Sequence, residues 1–331
     1  MTTILKFEIT FMKASITLLA MLSGIVTIAA PHGVVNVSAA YLHSRPDFEA
    51  SIETQELMGE VVEILERDGQ WLKVRCSQPY EAWTSSLWIT ETDEDGVKEW
   101  TDAPKYIFTA MSGYVFAAPN PGAATICDLV AGDVLRKCLK EDKAICRKGW
   151  TKVGLPDGRS GWVEGKCVED KELRDNRCLG YSKEDRIASA IAWAEKTLGT
   201  PYLWGGMTTK AFDCSGLTRF CYLMSGIRLP RNASQQIKCG RRIPIKMMPD
   251  GSFDLSALKA GDLVFFGRFT DEGGDPSDTQ CQPKATHVGL YIGDGHIIHS
   301  SHLVRINSLV KGDADCYENV HRLVGACRIV E

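Results

Sequence analysis

Short runs in which polar and apolar residues alternate characterise residues 33–92 of the chain. The run Gly59-Glu60-Val61-Val62-Glu63-Ile64-Leu65 alternates in part, as a half-buried strand does. A glycine turn and a second such run follow at residues 69–75, and Trp83 and Trp88 close the segment. The pattern predicts a small β-barrel built of short strands.

The same order of residues returns after about 75 positions, which is typical of a repeated domain. Gly132-Asp133-Val134 corresponds to Gly59-Glu60-Val61, and Trp150-Thr151-Lys152-Val153 corresponds to Trp71-Leu72-Lys73-Val74. We therefore expect two copies of the barrel, separated by a charged linker at residues 93–104.

Apolar residues recur at helical spacing in the part of the chain that begins at Ser182. After a second charged linker at residues 169–181, Ser182 is predicted to cap a helix that Gly199 ends. The apolar stripe of this helix consists of Ile187, Ala190, Ile191 and Ala194. A second helix is predicted at residues 216–224, so Cys214 lies at or next to its first turn.

Two short apolar runs near the end of the chain predict a β-hairpin. The strands are residues 288–292 and 296–299, and the turn between them is the glycine-containing segment 293–295. If the strands pair in this way, His287 and His299 lie near each other across the hairpin.

A strand at residues 263–266 and a long loop at residues 268–284 precede this hairpin. The loop contains Gly, Pro, Asp and Ser residues without periodicity. Because it comes just before His287, it could border a site. A tolerated surface insertion explains the same segment equally well.

The thiol of Cys214 stands between the carboxylate of Asp213 and the hydroxyl of Ser215. Free backbone N–H groups and the helix dipole stabilise a thiolate at a helix start. His287 is then a candidate base, and His299 is a candidate for orienting it through its other ring nitrogen. Taken alone, a buried cysteine is more often inert than catalytic. A histidine taken alone is likewise more often a hydrogen-bonded structural residue than a base.

The composition is that of a folded chain with two or three domains. Of the 331 residues, 44% are hydrophobic and 24% are charged. The formal net charge is −4 and there is no basic run. We therefore expect no nucleic-acid partner.

The first 30 residues predict a signal peptide. Lys13 precedes an uncharged segment at residues 14–30, and Thr27-Ile28-Ala29 fits a small-x-small cleavage site. Met12 is an alternative start, because the residues before it only lengthen the N-terminal region. The apolar segment is short for a membrane span. A retained anchor is the alternative; we favour export, with no stable membrane anchor after cleavage.

Twelve cysteines is a high count, and an exported chain can oxidise them. No two have Cys-x-x-Cys spacing, so we predict no structural zinc site, and the chemistry outlined above requires no metal or cofactor. Cys138 and Cys146, or Cys167 and Cys178, are close enough in sequence for local bridges. The connectivity stays open at this point.

The motifs of the second half of the chain resemble those of the NlpC/P60 family of cysteine peptidases. They follow one another in the family's order between residues 183 and 331. They are Tyr202-Leu203-Trp204-Gly205-Gly206, Phe212-Asp213-Cys214-Ser215-Gly216-Leu217, Leu229-Pro230-Arg231, Gly261-Asp262-Leu263-Val264-Phe265-Phe266, His287-Val288-Gly289-Leu290-Tyr291-Ile292-Gly293 and Ile298-His299-Ser300. The two predicted barrels resemble bacterial SH3 (SH3b) domains.

The resemblance implies an α+β papain-like NlpC/P60 catalytic domain preceded by two small SH3-like β-barrels. The expected segments are a signal peptide at residues 1–30, a first SH3b domain at 31–95, a second at 105–170 and a peptidase domain at 182–331. We expect the protein to be a monomer.

The resemblance also implies roles for individual residues. Cys214 is the nucleophile, His287 is the base and His299 orients the base. Asp213 helps to hold a substrate amine, although its position also suits a helix cap. The other residues that match the family's substrate groove are Tyr202, Trp204, Ser215 and Ser234, together with Tyr80 and Glu60 from the first barrel.

The substrate class is likewise implied by resemblance. Chains with this domain order resemble γ-D-glutamyl-L-diamino acid endopeptidases, which act on peptidoglycan-derived peptides with a free N-terminal L-Ala. One alternative is a lytic enzyme that cuts intact peptidoglycan and uses its SH3b domains as wall anchors. Another alternative is a catalytically inactive wall-binding module. The complete Cys-His-His set argues against it.

Overall fold

The computed structural model of the chain describes residues 31–76, 80–141, 143–270 and 274–331. The predicted signal peptide, residues 1–30, lies outside these ranges. Within them, no helix is both long enough and apolar enough to cross a membrane.

The first unit is a seven-stranded antiparallel sheet, as the alternating pattern predicts. Its strands are β1 (His32–Val35), β2 (Ala40–His43), β3 (Ile52–Glu56), β4 (Val61–Asp68), β5 (Trp71–Arg75), β6 (Glu81–Ser85) and β7 (Ile89–Thr92). Their spatial order is β3-β2-β6-β5-β4-β1-β7, which makes β3 an edge strand. Alternation is clearest in β5, where Leu72 and Val74 are buried and their neighbours are not.

The second unit repeats this topology. Its strands are β8 (Lys105–Phe108), β9 (Ser112–Phe116), β10 (Thr125–Val130), β11 (Val134–Lys137), β12 (Leu139–Lys140), β13 (Lys143–Ala144), β14 (Cys146–Arg147), β15 (Trp150–Gly154), β16 (Ser160–Glu164) and β17 (Val168–Asp170). The order β10-β9-β16-β15-β11-β8-β17 matches the first sheet strand for strand, and β12 to β14 are an addition. We infer that the second sheet is a second copy of the first.

Both segments expected to be charged linkers contain a helix. These are α1 (Glu94–Asp102) and α2 (Lys171–Leu179). Asp93 caps α1 by accepting a hydrogen bond from the backbone N–H of Gly96, and Trp100 is buried with its indole N–H donating to the carbonyl of Gly59. The charged composition of these segments gave no indication of a helix. In α1 a single buried residue, Trp100, holds the helix against the first sheet.

The last unit combines helices with a six-stranded antiparallel sheet, which gives the expected α+β class. Its helices are α3 (Lys183–Lys196), α4 (Cys214–Met224) and α5 (Ala233–Gln236). Its strands are β18 (Met207–Thr208), β19 (Ala211–Phe212), β20 (Arg241–Ile243), β21 (Leu263–Phe269), β22 (Pro283–Gly293), β23 (His296–Ser301), β24 (Leu303–Ser308) and β25 (Leu323–Arg328). The sheet order is β20-β25-β21-β22-β23-β24, and β18 pairs with β19.

Helix α4 lies at the centre of this unit. Almost all of its residues are buried, and its apolar side chains share one core with α3 and with the sheet. The hydroxyl of Tyr222 donates a hydrogen bond to the carbonyl of Gly261, which joins the helix to the turn before β21. At Gly216 a Cβ atom would collide with the carbonyl oxygen of Gly206. Only glycine therefore lets the start of α4 approach the turn before β18 this closely.

All twelve cysteines lie within the described ranges, and all are free thiols. The local bridges considered from the sequence are therefore not formed. Cys178 is buried on α2 against Gly226, whereas Cys167 belongs to the short turn before β17. Cys146 lies on an exposed strand with its sulfur near the hydroxyl of Thr151. Closeness in sequence did not bring these sulfurs together.

Candidate active site

Cys214 is the first residue of α4, as the sequence predicts. Asp213 is the N-cap: its side chain accepts a hydrogen bond of 2.7 Å from the backbone N–H of Gly216. The Cys214 side chain is largely buried but lines a cavity. The local sequence thus places a thiol at the one end of the helix where backbone N–H groups are unpaired.

The two predicted histidines meet across the β22–β23 hairpin. Nε2 of His287 lies 2.8 Å from Nδ1 of His299, and Nε2 of His299 lies 2.9 Å from Oδ1 of Asn307. The side chain of Asn307 is oriented in turn, because its Nδ2 donates to the carbonyl of Asp315. Asn307 was not predicted as a site residue, since its place on the next strand, β24, follows no motif.

This chain of hydrogen bonds fixes the tautomers of both rings. Since Oδ1 of Asn307 can only accept, Nε2 of His299 carries the proton and its Nδ1 is an acceptor. His287 must then donate from Nε2 to His299, which leaves a lone pair on Nδ1 of His287. The geometry therefore prepares His287 to accept a proton at Nδ1.

The ionisation of the site differs from the sequence expectation of a thiolate. Burial raises the pKa of the Cys214 thiol to about 12; the charge of Asp213 adds to this, while the amides of Val288 and Ser215 act in the opposite direction. Burial lowers the pKa of His287 to about 3 and that of His299 to about 4. Helix-terminal amides do favour the thiolate, but burial outweighs them. The unliganded site therefore holds a neutral thiol and a neutral imidazole.

Cys214 lies in a groove with a volume of about 370 Å³. Six of the predicted groove residues line it: Tyr80, Tyr202, Trp204, Asp213, Ser215 and Ser234. Trp204 is 65% exposed and forms part of the rim. Thr286, the residue before His287, also lines the groove, so the histidine strand and the nucleophile helix meet there. No described residue of the predicted loop at 268–284 lines it, and parts of that segment belong to β21 and β22.

The prediction that Glu60 lies in this groove is wrong. Its carboxylate accepts a hydrogen bond from Arg228 and borders a separate cavity between the barrels and α2. The acidic residue that the first barrel contributes to the groove is Glu53, whose Oε2 accepts a hydrogen bond of 2.9 Å from the Tyr80 hydroxyl. Glu53 lies on the edge strand β3, and the sequence contained no signal for which barrel edge faces the peptidase unit.

Asp213 lies in the groove, but its charge is already compensated. Arg231 forms a buried ion pair with it; the two side chains are 5% and 9% exposed. The carboxylate also accepts hydrogen bonds from the hydroxyl of Ser215 and from the backbone N–H groups of Gly205 and Gly216. Its oxygens have little capacity left for a substrate amine. Helix capping and the ion pair account for Asp213 better than the implied contact with substrate.

Comparison with known proteins assigns these units. Residues 199–317 match the NlpC/P60 family. The chain carries an NlpC/P60 domain. Residues 42–86 match the bacterial dipeptidyl-peptidase SH3 domain, which corresponds to the first barrel. The candidate nucleophile and both histidines fall within the NlpC/P60 match.

Two relatives match over most of the chain. A γ-D-glutamyl-L-lysine dipeptidyl-peptidase of Bacillus cereus is 28% identical over 262 residues, which are 75% of this chain and 67% of the relative. Dipeptidyl-peptidase 6 of Lysinibacillus sphaericus is 25% identical over 84% of this chain and 92% of its own. A solved NlpC/P60 family structure from Bacillus cereus covers 91% of this chain and 100% of its own, with a TM-score of 0.68 and 22% identity. The similarity to that structure establishes the shared fold.

We predict that alkylation of Cys214 lacks a plateau at neutral pH. Because burial keeps the thiol protonated, the rate with iodoacetamide should rise about tenfold per pH unit between pH 6 and pH 10, as the thiolate fraction does below a thiol pKa. Mass spectrometry of the peptide that carries Cys214 measures the rate. The urea-unfolded chain is the control and should level off near an ordinary thiol pKa, about 8.5. A plateau of the alkylation rate below pH 8 in the folded protein would contradict a protonated Cys214 thiol beside a neutral His287.

Proposed function

We propose that this chain is a cysteine peptidase that cleaves the bond between γ-D-glutamate and a diamino acid in peptidoglycan-derived peptides. The observation that carries the proposal is one groove lined by Cys214, by Thr286 next to His287, and by Glu53 and Tyr80 of the first barrel. The name of the Bacillus cereus relative, a γ-D-glutamyl-L-lysine dipeptidyl-peptidase, supports the substrate class.

The mechanism begins from the neutral pair. As Sγ of Cys214 bonds to the γ-carbonyl carbon of D-glutamate, the thiol proton passes to Nδ1 of His287. The backbone N–H of Cys214, at the start of α4, is the donor that we assign to the oxyanion. When the C–N bond breaks, His287 returns the proton to the leaving α-amine of the diamino acid. Water then attacks the thioester, gives its proton to His287 and releases the γ-D-glutamyl acid, after which the proton returns to Sγ.

The barrel end of the groove suits a free N-terminal amine. The Glu53 carboxylate is the acceptor for an ammonium group, and Tyr80 stays protonated because burial and Glu53 raise its pKa to about 12. A charge-assisted hydrogen bond of this kind is roughly twice as strong as a neutral one. The groove volume of about 370 Å³ lies at the small end of ligand sites, about 300–1,000 Å³, which suits a short peptide.

The position of Glu53 also separates this proposal from its alternatives. If the barrels were only wall anchors, the first barrel would have no need to place a carboxylate and a hydroxyl in the groove of Cys214. An enzyme closed at this end prefers free turnover peptides over stems whose L-Ala amine is joined to glycan. We also propose that the chain is exported, with its N-terminal 30 residues as the signal peptide, and that it acts as a monomer.

We predict that Cys214→Ala abolishes hydrolysis of L-Ala-γ-D-Glu-diaminopimelate, because no acyl-enzyme can form. Mass spectrometry of the products should find L-Ala-γ-D-Glu and diaminopimelate with the wild type only. Cys221→Ala is the matched control: this thiol is buried in the same helix, away from the groove, and its loss should leave the reaction intact. Equal turnover by wild type and Cys214→Ala would remove the proposal.

We predict that Glu53→Gln lowers kcat/KM for the free-amine peptide on the order of tenfold or more, since the substitution removes the charged partner of the ammonium. Glu60→Gln is the control, because its carboxylate faces Arg228 and a different cavity. Steady-state kinetics of Glu53→Gln and Glu60→Gln decide which of the two carboxylates binds the ammonium group. A larger loss in Glu60→Gln than in Glu53→Gln would restore the original assignment of Glu60.

A further inference from the structure

We propose that Thr54 of the first barrel is a positioning residue for the nucleophile helix and acts through Arg231. The inference rests on the proposed function and adds a second role for the barrel. Beside closing the groove, the barrel would hold the start of α4 in its reactive geometry.

The contact is made by the edge strand β3, whose side away from β2 faces the peptidase unit. Thr54 and Gln55 are each 1% exposed at this boundary. The side-chain carbonyl of Gln55 accepts a hydrogen bond of 2.9 Å from the backbone N–H of Met207 on β18. Ile52 packs so closely against Gly205 that a Cβ atom there would lie 2.7 Å from its side chain. The barrel edge is therefore fixed against the turn that precedes α4.

Thr54 supplies the acceptor for Nε, the one guanidinium nitrogen of Arg231 that does not contact Asp213 or Ser215. Nε of Arg231 donates to the Thr54 hydroxyl at 2.9 Å. Nη1 donates to Oδ1 of Asp213 at 3.1 Å and to the hydroxyl of Ser215 at 3.0 Å, while Nη2 pairs with Oδ2 of Asp213. Because the guanidinium is planar, fixing Nε fixes the direction of both other nitrogens.

The two residues that Arg231 holds flank Cys214. Asp213 caps α4 and Ser215 follows the nucleophile, so rotation of the guanidinium would shift both sides of the thiol together. The Thr54 side chain is itself restricted, because a β-branched side chain has few rotamers and the hydroxyl has two acceptors at 3.3 Å, the carbonyl of Gln55 and the sulfur of Met207. Loss of this acceptor would leave a buried N–H without a partner and release the guanidinium fork.

A purely structural contact between domains would have a different signature. It would lower the unfolding temperature without changing the first turn of α4 in the folded state. A positioning contact should loosen that turn and reduce kcat while KM changes little, because the Glu53 end of the groove stays intact. Misplacement of a reacting group by about 1 Å can cost on the order of 100-fold in rate.

The test compares Thr54→Val with Thr84→Val in the full chain. Both remove a buried hydroxyl from the first barrel, but that of Thr84 donates within the barrel, to the carbonyl of Tyr41. Relative to the wild type, Thr54→Val should raise the rate of amide hydrogen exchange in the peptide spanning residues 213–217 at least tenfold. It should also lower kcat at least tenfold, while KM changes by no more than about threefold. Thr84→Val should change neither quantity. Thr54→Ser, which keeps the hydroxyl, should restore both the exchange rate and kcat to near their wild-type values.

Unchanged exchange in Thr54→Val, or an equal rise in Thr84→Val, overturns the inference whether or not the wild type cleaves the peptide. Faster exchange with unchanged kcat overturns the positioning role as well. A wild type without peptidase activity overturns the proposed function alone, because the exchange comparison still reports on Arg231. If Thr54→Val does not fold, Thr54→Ala and Thr54→Ser differ by the hydroxyl alone and provide the same comparison.

Discussion

The buried ion pair between Arg231 and Asp213 is the interaction on which the rest of the site depends. A charged pair withdrawn from water is retained only if each partner finds further hydrogen bonds, and loss of one partner typically costs about 3–5 kcal/mol. Here those hydrogen bonds come from three parts of the chain: the first barrel through Thr54, the turn before β18 through Gly205, and the start of α4 through Ser215. Satisfying the pair therefore requires the barrel to dock, the turn to close and the nucleophile helix to begin at one place.

The chain of hydrogen bonds from His287 to Asn307 follows from a different constraint, the full burial of His299 and the partial burial of His287. Burial favours the neutral form of both rings, although the charge of Glu318 acts in the opposite direction on His299. The single hydrogen-bond direction set by Asn307 then determines where each proton resides. The thiol of Cys214 is buried as well and is neutral for the same reason. In the proposed mechanism, charge separation therefore arises during the reaction, when the oxyanion and the imidazolium form together.

Local patterns in the sequence predicted what depends on neighbouring residues. The alternation in β5, the hairpin that joins His287 to His299 and the helix start at Cys214 all follow from residues close in the chain. Contacts across long separations were missed or misassigned. Arg231 and Thr54 are 177 positions apart, and whether Glu53 or Glu60 enters the groove depends on which barrel edge docks. The pKa of the thiol also depends on more than neighbouring residues, because burial by the whole fold raises it against the local effect of the helix-terminal amides.

In the proposed function, the first barrel makes the groove specific for a free N-terminal amine. This specificity is tested most directly by kcat/KM of the wild-type protein for L-Ala-γ-D-Glu-diaminopimelate and for its N-acetylated form. Acetylation removes the charged partner that the half-buried Glu53 carboxylate would bind, and a hydrogen bond to a charged group contributes about 1.5–3 kcal/mol. The account predicts that kcat/KM falls at least tenfold for the acetylated peptide. Equal values for the two peptides would contradict it, because the groove would then be open at the barrel end.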